Sequence, residues 1–116
     1  MTLESFLKKL RKAPDSIIFN DTMTVIENCY EFTPTPFRNG PLHNEAGKNS
    51  GSCKIFSFAR LHGLNKLQTL HCFGSYYRDD VLNNPDGADH QNIRNFMRNG
   101  WDGISFDGQA LTPREA

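Results

Sequence analysis

The sequence predicts a mainly α-helical fold, with about five helices around a phenylalanine-rich core and at most one short two-stranded β element. Three observations support this: apolar residues recur at helical spacing, turn-forming segments separate these stretches, and nine Phe stand beside three Tyr and one Trp. Phe has no polar group and favours a core. The length of 116 residues indicates one domain, residues 1–116. We expect residues 109–116 to be a frayed tail.

The first helix is predicted from one apolar stripe. Its members fall at intervals of three and four, the spacing of one helix face: Leu3, Phe6, Leu7 and Leu10. Thr2 is a plausible N-cap, and Pro14 ends the helix because proline disfavours helical geometry in the residue before it. Residues 17–19 are predicted to be extended, and a second helix is predicted to begin at Asn20 or Asp21, both good caps.

A proline-rich segment and a long loop follow. Residues 32–37 have the sequence FTPTPF and cannot be helical, because each Thr precedes a Pro and is pushed to extended angles. Residues 38–41 are typical of a turn. Residues 40–52 form a polar loop, and a loop of this length in a compact domain is either functional or mobile.

The third and fourth helices are predicted from their ends. The third begins near Ser52 and ends at residues 63–64, where Gly63 suits a left-handed C-terminal position and Leu64 suits the accompanying hydrophobic contact. Asn65 and Gln68 have the spacing of a capping box for the fourth helix, whose apolar stripe continues to Val81.

The C-terminal part is predicted to contain one more helix and a strand. Residues 83–87, NNPDG, form a turn, after which the fifth helix carries Ile93 and ends at residues 99–100. Residues 101–108 contain an alternating apolar pair typical of a strand. This strand can pair with residues 32–37.

Composition limits the classes of partner. The 13 Lys and Arg balance the 13 Asp and Glu, whereas proteins that bind nucleic acids or anionic membranes usually carry a basic surplus. We therefore expect neither a nucleic-acid nor a membrane partner. The three cysteines are odd in number and form no C-x-x-C motif, which favours a reducing compartment over a disulfide framework. The N-terminal residues lack the apolar region of a Sec signal peptide.

Five irregular segments carry a resemblance to a known family. They are FTPTPFRNG (32–40), LHNEAGKNSGSCKIF (42–56), CFGSYYRDDV (72–81), NPDGADHQNIRNFM (84–97) and GWDGISFDG (100–108). With these segments in this order, the chain resembles the HopJ type III effector family over roughly residues 2–108. The resemblance implies a bacterial protein delivered by a type III secretion system, and it supplies no set of catalytic residues.

Two imidazoles and two carboxylates are candidate metal ligands. His43 and Glu45 lie in the glycine-rich loop, and Asp89 and His90 precede the fifth helix. These side chains are ligand types for divalent metals, but their spacing matches no known signature. The alternative is that Asp89 stabilises the helix N-terminus electrostatically and that the histidines are ordinary polar groups. We expect no metal and no other cofactor.

A polar cluster is predicted where loop 38–54 packs beside the helical segments 76–80 and 89–95. Buried amides, hydroxyls and charges need partners, so the cluster is either a ligand-binding pocket or scaffolding. Its candidate residues are Arg38, His43, Asn44, Glu45, Asn49, Ser52, Lys54, Tyr77, Asp80, Asp89, His90, Asn92 and Arg94.

Three functions remain, in order of preference. The first is an effector that binds a host or bacterial protein without catalysis of its own. The second is a protein that binds a small polar ligand or a metal through the cluster. The third is an enzyme using a carboxylate or histidine of the same cluster, which requires a strongly perturbed pKa inside a cleft. The sequence assigns no catalytic residue and no oligomeric state. The expected location is the cytoplasm or, for an exported effector, the host cell.

Overall fold

The fold is mixed α/β, so the prediction of a mainly α fold is wrong. It was obtained as a computed structural model, which describes residues 1–114. Within them lie five α-helices: α1 (Leu3–Lys12), α2 (Phe19–Cys29), α3 (Ser50–Leu61), α4 (Lys66–His71) and α5 (Gln91–Asn99). There are also five short strands: β1 (Tyr30–Phe32), β2 (Phe37–Asn39), β3 (Leu42–Asn44), β4 (Ile104–Phe106) and β5 (Leu111–Pro113). None of the helices in residues 1–114 has the length and apolar character needed to cross a membrane.

The strands form two antiparallel sheets, where one two-stranded element was expected. One sheet has the order β3-β2-β4 and the other pairs β1 with β5. The predicted C-terminal strand is confirmed as β4. Its partner β2 overlaps the predicted partner, residues 32–37, only at Phe37, which lies opposite Phe106. Their rings stack with centroids 5.3 Å apart. Strand β3 lies within the predicted loop 40–52 and shortens it.

The C-terminal tail is ordered where we expected fraying. Strand β5 pairs with β1 so that Leu111 lies opposite Phe32, and the Thr33 N–H donates to the Ala110 carbonyl over 2.8 Å. Ala110 and Leu111 are buried in the core, and this burial offsets the entropy that fraying would gain. Residues 115 and 116 of the predicted tail lie outside the described residues.

The predicted extended segment is confirmed at Ile17 and Ile18, whose backbones are extended, whereas Phe19 already belongs to α2. Helix α1 is confirmed, with the Thr2 hydroxyl accepting from the Ser5 N–H over 3.0 Å. A 3₁₀ turn at Pro14–Ser16 follows, and α2 begins at Phe19 without a side-chain cap. The guanidinium of Arg78 donates to the carbonyls of Pro14 and Ile17. These two backbone carbonyls, in the connection between α1 and α2, therefore find their hydrogen-bond donor in Arg78, a residue distant in the sequence.

The predicted fourth helix is interrupted at Gly74. Its capping box between Asn65 and Gln68 is confirmed, yet α4 ends at His71. Gly74 has a φ of +62°, and a π-helical segment, Tyr76–Val81, follows. A β-carbon at Gly74 would lie 2.6 Å from the backbone nitrogen of Phe19, so only glycine lets the start of α2 approach this closely.

Helix α3 lies at the centre of the core. Its residues 55–59 are all buried, and the Phe56 ring contacts those of Phe37, Phe73 and Phe96 at centroid distances of 6.0, 5.6 and 4.9 Å. The predicted C-terminal motif is confirmed, since Gly63 has a φ of +63° and the Leu64 N–H donates to the Ala59 carbonyl over 2.9 Å.

Replacement of Gly74 by alanine tests the close approach of α2. We expect Gly74→Ala to lower the free energy of unfolding by roughly 2–5 kcal/mol, because it adds an overpacking cost to the left-handed backbone cost. Gly63→Ala is the matched control, since its φ is nearly the same but nothing lies within 4 Å of the added carbon. Urea denaturation measures both, and equal losses would contradict the steric argument.

Candidate functional site

A cleft of about 550 Å³ lies where the first turns of α3 and α5 meet the π-helical segment. Its walls include four of the residues that the sequence nominates: Asn49, Ser52, His90 and Asn92. Apolar and aromatic side chains complete it, among them Phe19, Phe73 and Tyr76. The volume falls within the usual range for small-molecule sites.

Two residues in left-handed backbone conformations border the cleft. Asn49 and His90 have φ values of 52° and 49°, and they are the only non-glycine residues with positive φ in residues 1–114. Each directly precedes a helix, α3 or α5, and neither helix has a side-chain cap. First-turn N–H groups lack acceptors inside the helix. The first-turn residues that line the cleft are Gly51 and Ser52 of α3 and Gln91, Asn92 and Ile93 of α5.

His90 is oriented by the π-helical segment. Its Nε2 lies 3.1 Å from Oδ2 of Asp80, and its ring packs against that of Tyr76 at a centroid distance of 5.4 Å. With Nε2 engaged by Asp80, Nδ1 is the nitrogen left for other partners. The π-helical register thus places a carboxylate and a phenol beside one imidazole.

A buried network of asparagine amides lies behind the cleft, and Asn92 is its centre. The side chains of Asn44 and Asn92 exchange two hydrogen bonds of 2.9 and 3.1 Å. Asn39 donates to both the carbonyl and the side-chain oxygen of Asn92, and Asn49 donates to Asn44 over 2.7 Å. The network therefore joins β2 and β3 to α5 and reaches the residue before α3.

Arg94 holds the turn that precedes α5. Its side chain is 6% exposed, and its Nη2 donates to the carboxylate of Asp89 over 2.7 Å. Nε and Nη1 donate to the carbonyls of Asp89 and Asn84. The hydrogen bond from Arg94 is the main cause that lowers the pKa of the Asp89 carboxyl group. Arg94 and Asp89 therefore stabilise the turn before α5, and neither residue lines the cleft.

The remaining nominated residues lie outside the cleft lining. Arg38 and His43 face each other across strands β2 and β3 and are exposed. Glu45 is exposed in the following turn, and Lys54 pairs with Glu27 over 3.8 Å. Tyr77 is buried against His71. The structure therefore brings together one part of the predicted cluster.

The candidate metal ligands do not form one group. Residues 1–114 contain no set of three or more His, Cys, Asp or Glu side chains placed to hold a metal ion. His43 lies on strand β3, whereas His90 lies at the start of α5 with Asp80 and Asp89 near its Nε2, at 3.1 and 4.0 Å.

Shifted pKa values arise mainly from burial elsewhere in the fold. Burial raises the pKa of Cys72 to about 12 and lowers the pKa of His71, which also faces Arg78. Burial likewise raises the pKa of Cys53 and of Tyr77. None of these four groups lines the cleft. Their shifted pKa values therefore do not supply the perturbed group inside a cleft that the enzyme hypothesis requires.

Several site residues were not nominated from the sequence. Asn39 was assigned to a turn, although it is fully buried in strand β2. Phe19 falls in the segment predicted to be extended, and Tyr76 falls in the helical segment 76–80 predicted to lie beside the cluster, but the sequence predicts neither as a site residue. Gln91 directly follows His90, and its place in the first turn of the predicted fifth helix is the signal that could have identified it.

The chain is similar to a known protein family and to a solved structure. The sequence model of the HopJ type III effector protein family matches residues 3–111, which confirms the resemblance. The crystal structure of a protein of unknown function, VPA0580, is similar, with a TM-score of 0.97 and 54% sequence identity. The match covers 98% of this chain and 95% of that chain. No curated protein matches.

Removal of the central amide tests the network. We expect Asn92→Ala to lower the free energy of unfolding by roughly 2–4 kcal/mol, because the buried amides of Asn39 and Asn44 lose partners. Asn28→Ala, at an exposed position of α2, is the control and should change it by less than about 0.5 kcal/mol. Urea denaturation followed by circular dichroism compares them. A neutral Asn92→Ala would show that the network contributes little to stability.

Proposed function

Because the chain belongs to the HopJ type III effector family, we propose that it is a type III effector-like protein that acts by binding a protein partner. The family match over residues 3–111 is the observation that supports this proposal. The three cysteines are free, which is compatible with a reducing compartment such as a host cytosol or the bacterial cytoplasm.

Delivery into host cells tests the effector proposal. The full chain, fused at its C-terminus to a calmodulin-dependent adenylate cyclase, is expressed in a bacterium with an active type III system. We expect cyclic AMP to rise in host cells, because the reporter is active only after it enters them.

The control is the same fusion in an otherwise identical strain that lacks the secretion ATPase. A signal at background in both strains would contradict export. It would favour the alternative that the protein works in the bacterial cytoplasm.

The second candidate function is binding of a small polar ligand. The observation that favours it is the cleft, which gathers Asn49, Ser52, His90 and Asn92 around about 550 Å³. Small-molecule sites combine apolar walls with a few convergent polar groups, and Phe19 and Tyr76 supply such walls here. This function does not depend on export, so the two proposals are tested separately.

Native mass spectrometry of protein purified without chelator tests ligand binding. We expect a discrete mass above that of the polypeptide, lost in His90→Ala because His90 lines the cleft. His43→Ala is the matched control, since His43 is exposed on β3 and outside the cleft lining. The bare polypeptide mass, together with an unchanged melting temperature across a metabolite panel, would contradict this function.

A further inference from the structure

The most unusual feature of the cleft is an aromatic ring that is fixed in orientation yet open to solvent. Tyr76 is 42% exposed. Its ring makes an edge contact with Phe19, with centroids 5.0 Å apart, and a tilted contact with His90 at 5.4 Å. Neighbouring rings on two sides limit its motion, so little side-chain entropy remains to be lost when a ligand covers it.

Two glycines allow Phe19 to occupy its position in the wall of the cleft. The left-handed Gly74 lets the backbone of Phe19 approach, because a β-carbon there would lie 2.6 Å from its nitrogen. Gly51, in the first turn of α3, lies beneath the ring, and a β-carbon there would lie 3.3 Å from the Phe19 Cζ. The wall is therefore set by the backbone packing of two separate elements.

The other polar groups that line the cleft are amide, hydroxyl and imidazole donors and acceptors. Gln91 uses its Nε2 to donate to the Ala88 carbonyl over 2.7 Å, which leaves its Oε1 as an acceptor. Ser52 offers a hydroxyl group, and His90 offers Nδ1 because its Nε2 faces Asp80. Among residues 1–114, no Lys or Arg side chain lines the cleft. Strong anion sites usually include such cations.

We propose that the cleft binds a planar aromatic ring bearing an uncharged group that both donates and accepts hydrogen bonds, such as a carboxamide. The ring lies against Tyr76, and the uncharged group meets Ser52, His90 and Gln91. This proposal rests on the small-ligand function proposed above and adds the chemical class of the ligand.

Three small probes of similar size test the proposal by NMR. Backbone amide shifts of the ¹⁵N-labelled full chain are followed during titration with benzamide, cyclohexanecarboxamide and benzoate, each to about 10 mM, which detects millimolar affinity. Benzamide is expected to shift the amides of Gly51, Ser52 and Gln91. Cyclohexanecarboxamide, which has the same amide on a saturated ring, should bind roughly tenfold more weakly because it cannot stack.

Variants separate the ring from its surroundings. Tyr76→Ala should weaken benzamide binding roughly tenfold, whereas Tyr76→Phe should retain it because the aromatic face remains. Leu82→Ala is the control, since Leu82 is 46% exposed but lies outside the cleft lining. Unchanged benzamide affinity in Tyr76→Ala would overturn the stacking role.

The outcomes distinguish the ligand class from the small-ligand function. Equal affinities for benzamide and cyclohexanecarboxamide would overturn the proposed ligand class, and so would a higher affinity for benzoate than for benzamide. Either result would still leave the cleft as a binding site. Benzoate is the informative competitor because first-turn N–H groups of α3 and α5 favour anions. If none of the three probes changes the amide shifts, the proposed ligand class is wrong. The small-ligand function is then tested separately by native mass spectrometry.

Discussion

The burial of residues 55–59, in the middle of helix α3, is the constraint on which the rest of the fold depends. These five consecutive residues point to successive faces of the helix, so this stretch is covered all round and not along one stripe. Helices α2 and α4 pack against it, and β5 packs against another part of it. A short chain can provide this cover only by using its extended segments as well as its helices, which is why both small sheets belong to the core.

The attachment of α5 to the strands uses polar contacts in place of more apolar packing. Asn39 and Asn44, on β2 and β3, reach Asn92 on α5, and each is almost fully buried. Buried amides are costly unless paired, so the arrangement tolerates few alternative positions of α5. Among the described residues, the Oδ1 of Asn39 is buried without a hydrogen-bond partner, but the other contacts pair the amides and set the first turn of α5 at the edge of the cleft. Asn92 belongs to both the network and the cleft.

Local signals could be predicted from the sequence, and pairings between distant segments could not. The Thr2 cap, the Asn65–Gln68 capping box and the turn at Gly63 each depend on residues a few positions apart. By contrast, Phe19 begins α2 without a side-chain cap, so no local signal separates it from the extended residues Ile17 and Ile18. The donor that holds the Ile17 carbonyl, Arg78, lies 61 residues further along. Strand β5 is not predicted for the same reason, since it pairs with the distant strand β1. The site residues Asn49, Ser52, His90 and Asn92 were nominated from residue type and helix position, but Phe19 and Tyr76 required the tertiary fold.

Unusual backbone geometry is concentrated around the cleft. Asn49 and His90 are left-handed, the π-helical segment carries Tyr76, and Gly74 brings Phe19 to the wall. Each non-glycine residue in the left-handed region lowers the stability of the fold by about 1–3 kcal/mol. Segments of π-helix are rare in proteins overall, but those that do occur are often found at functional sites. The same amide network and core that stabilise the fold must offset these costs. Selection for stability alone would favour helix starts with ordinary caps at residues 49 and 90, so the retained cost at two converging helix starts is an argument that the cleft has a function.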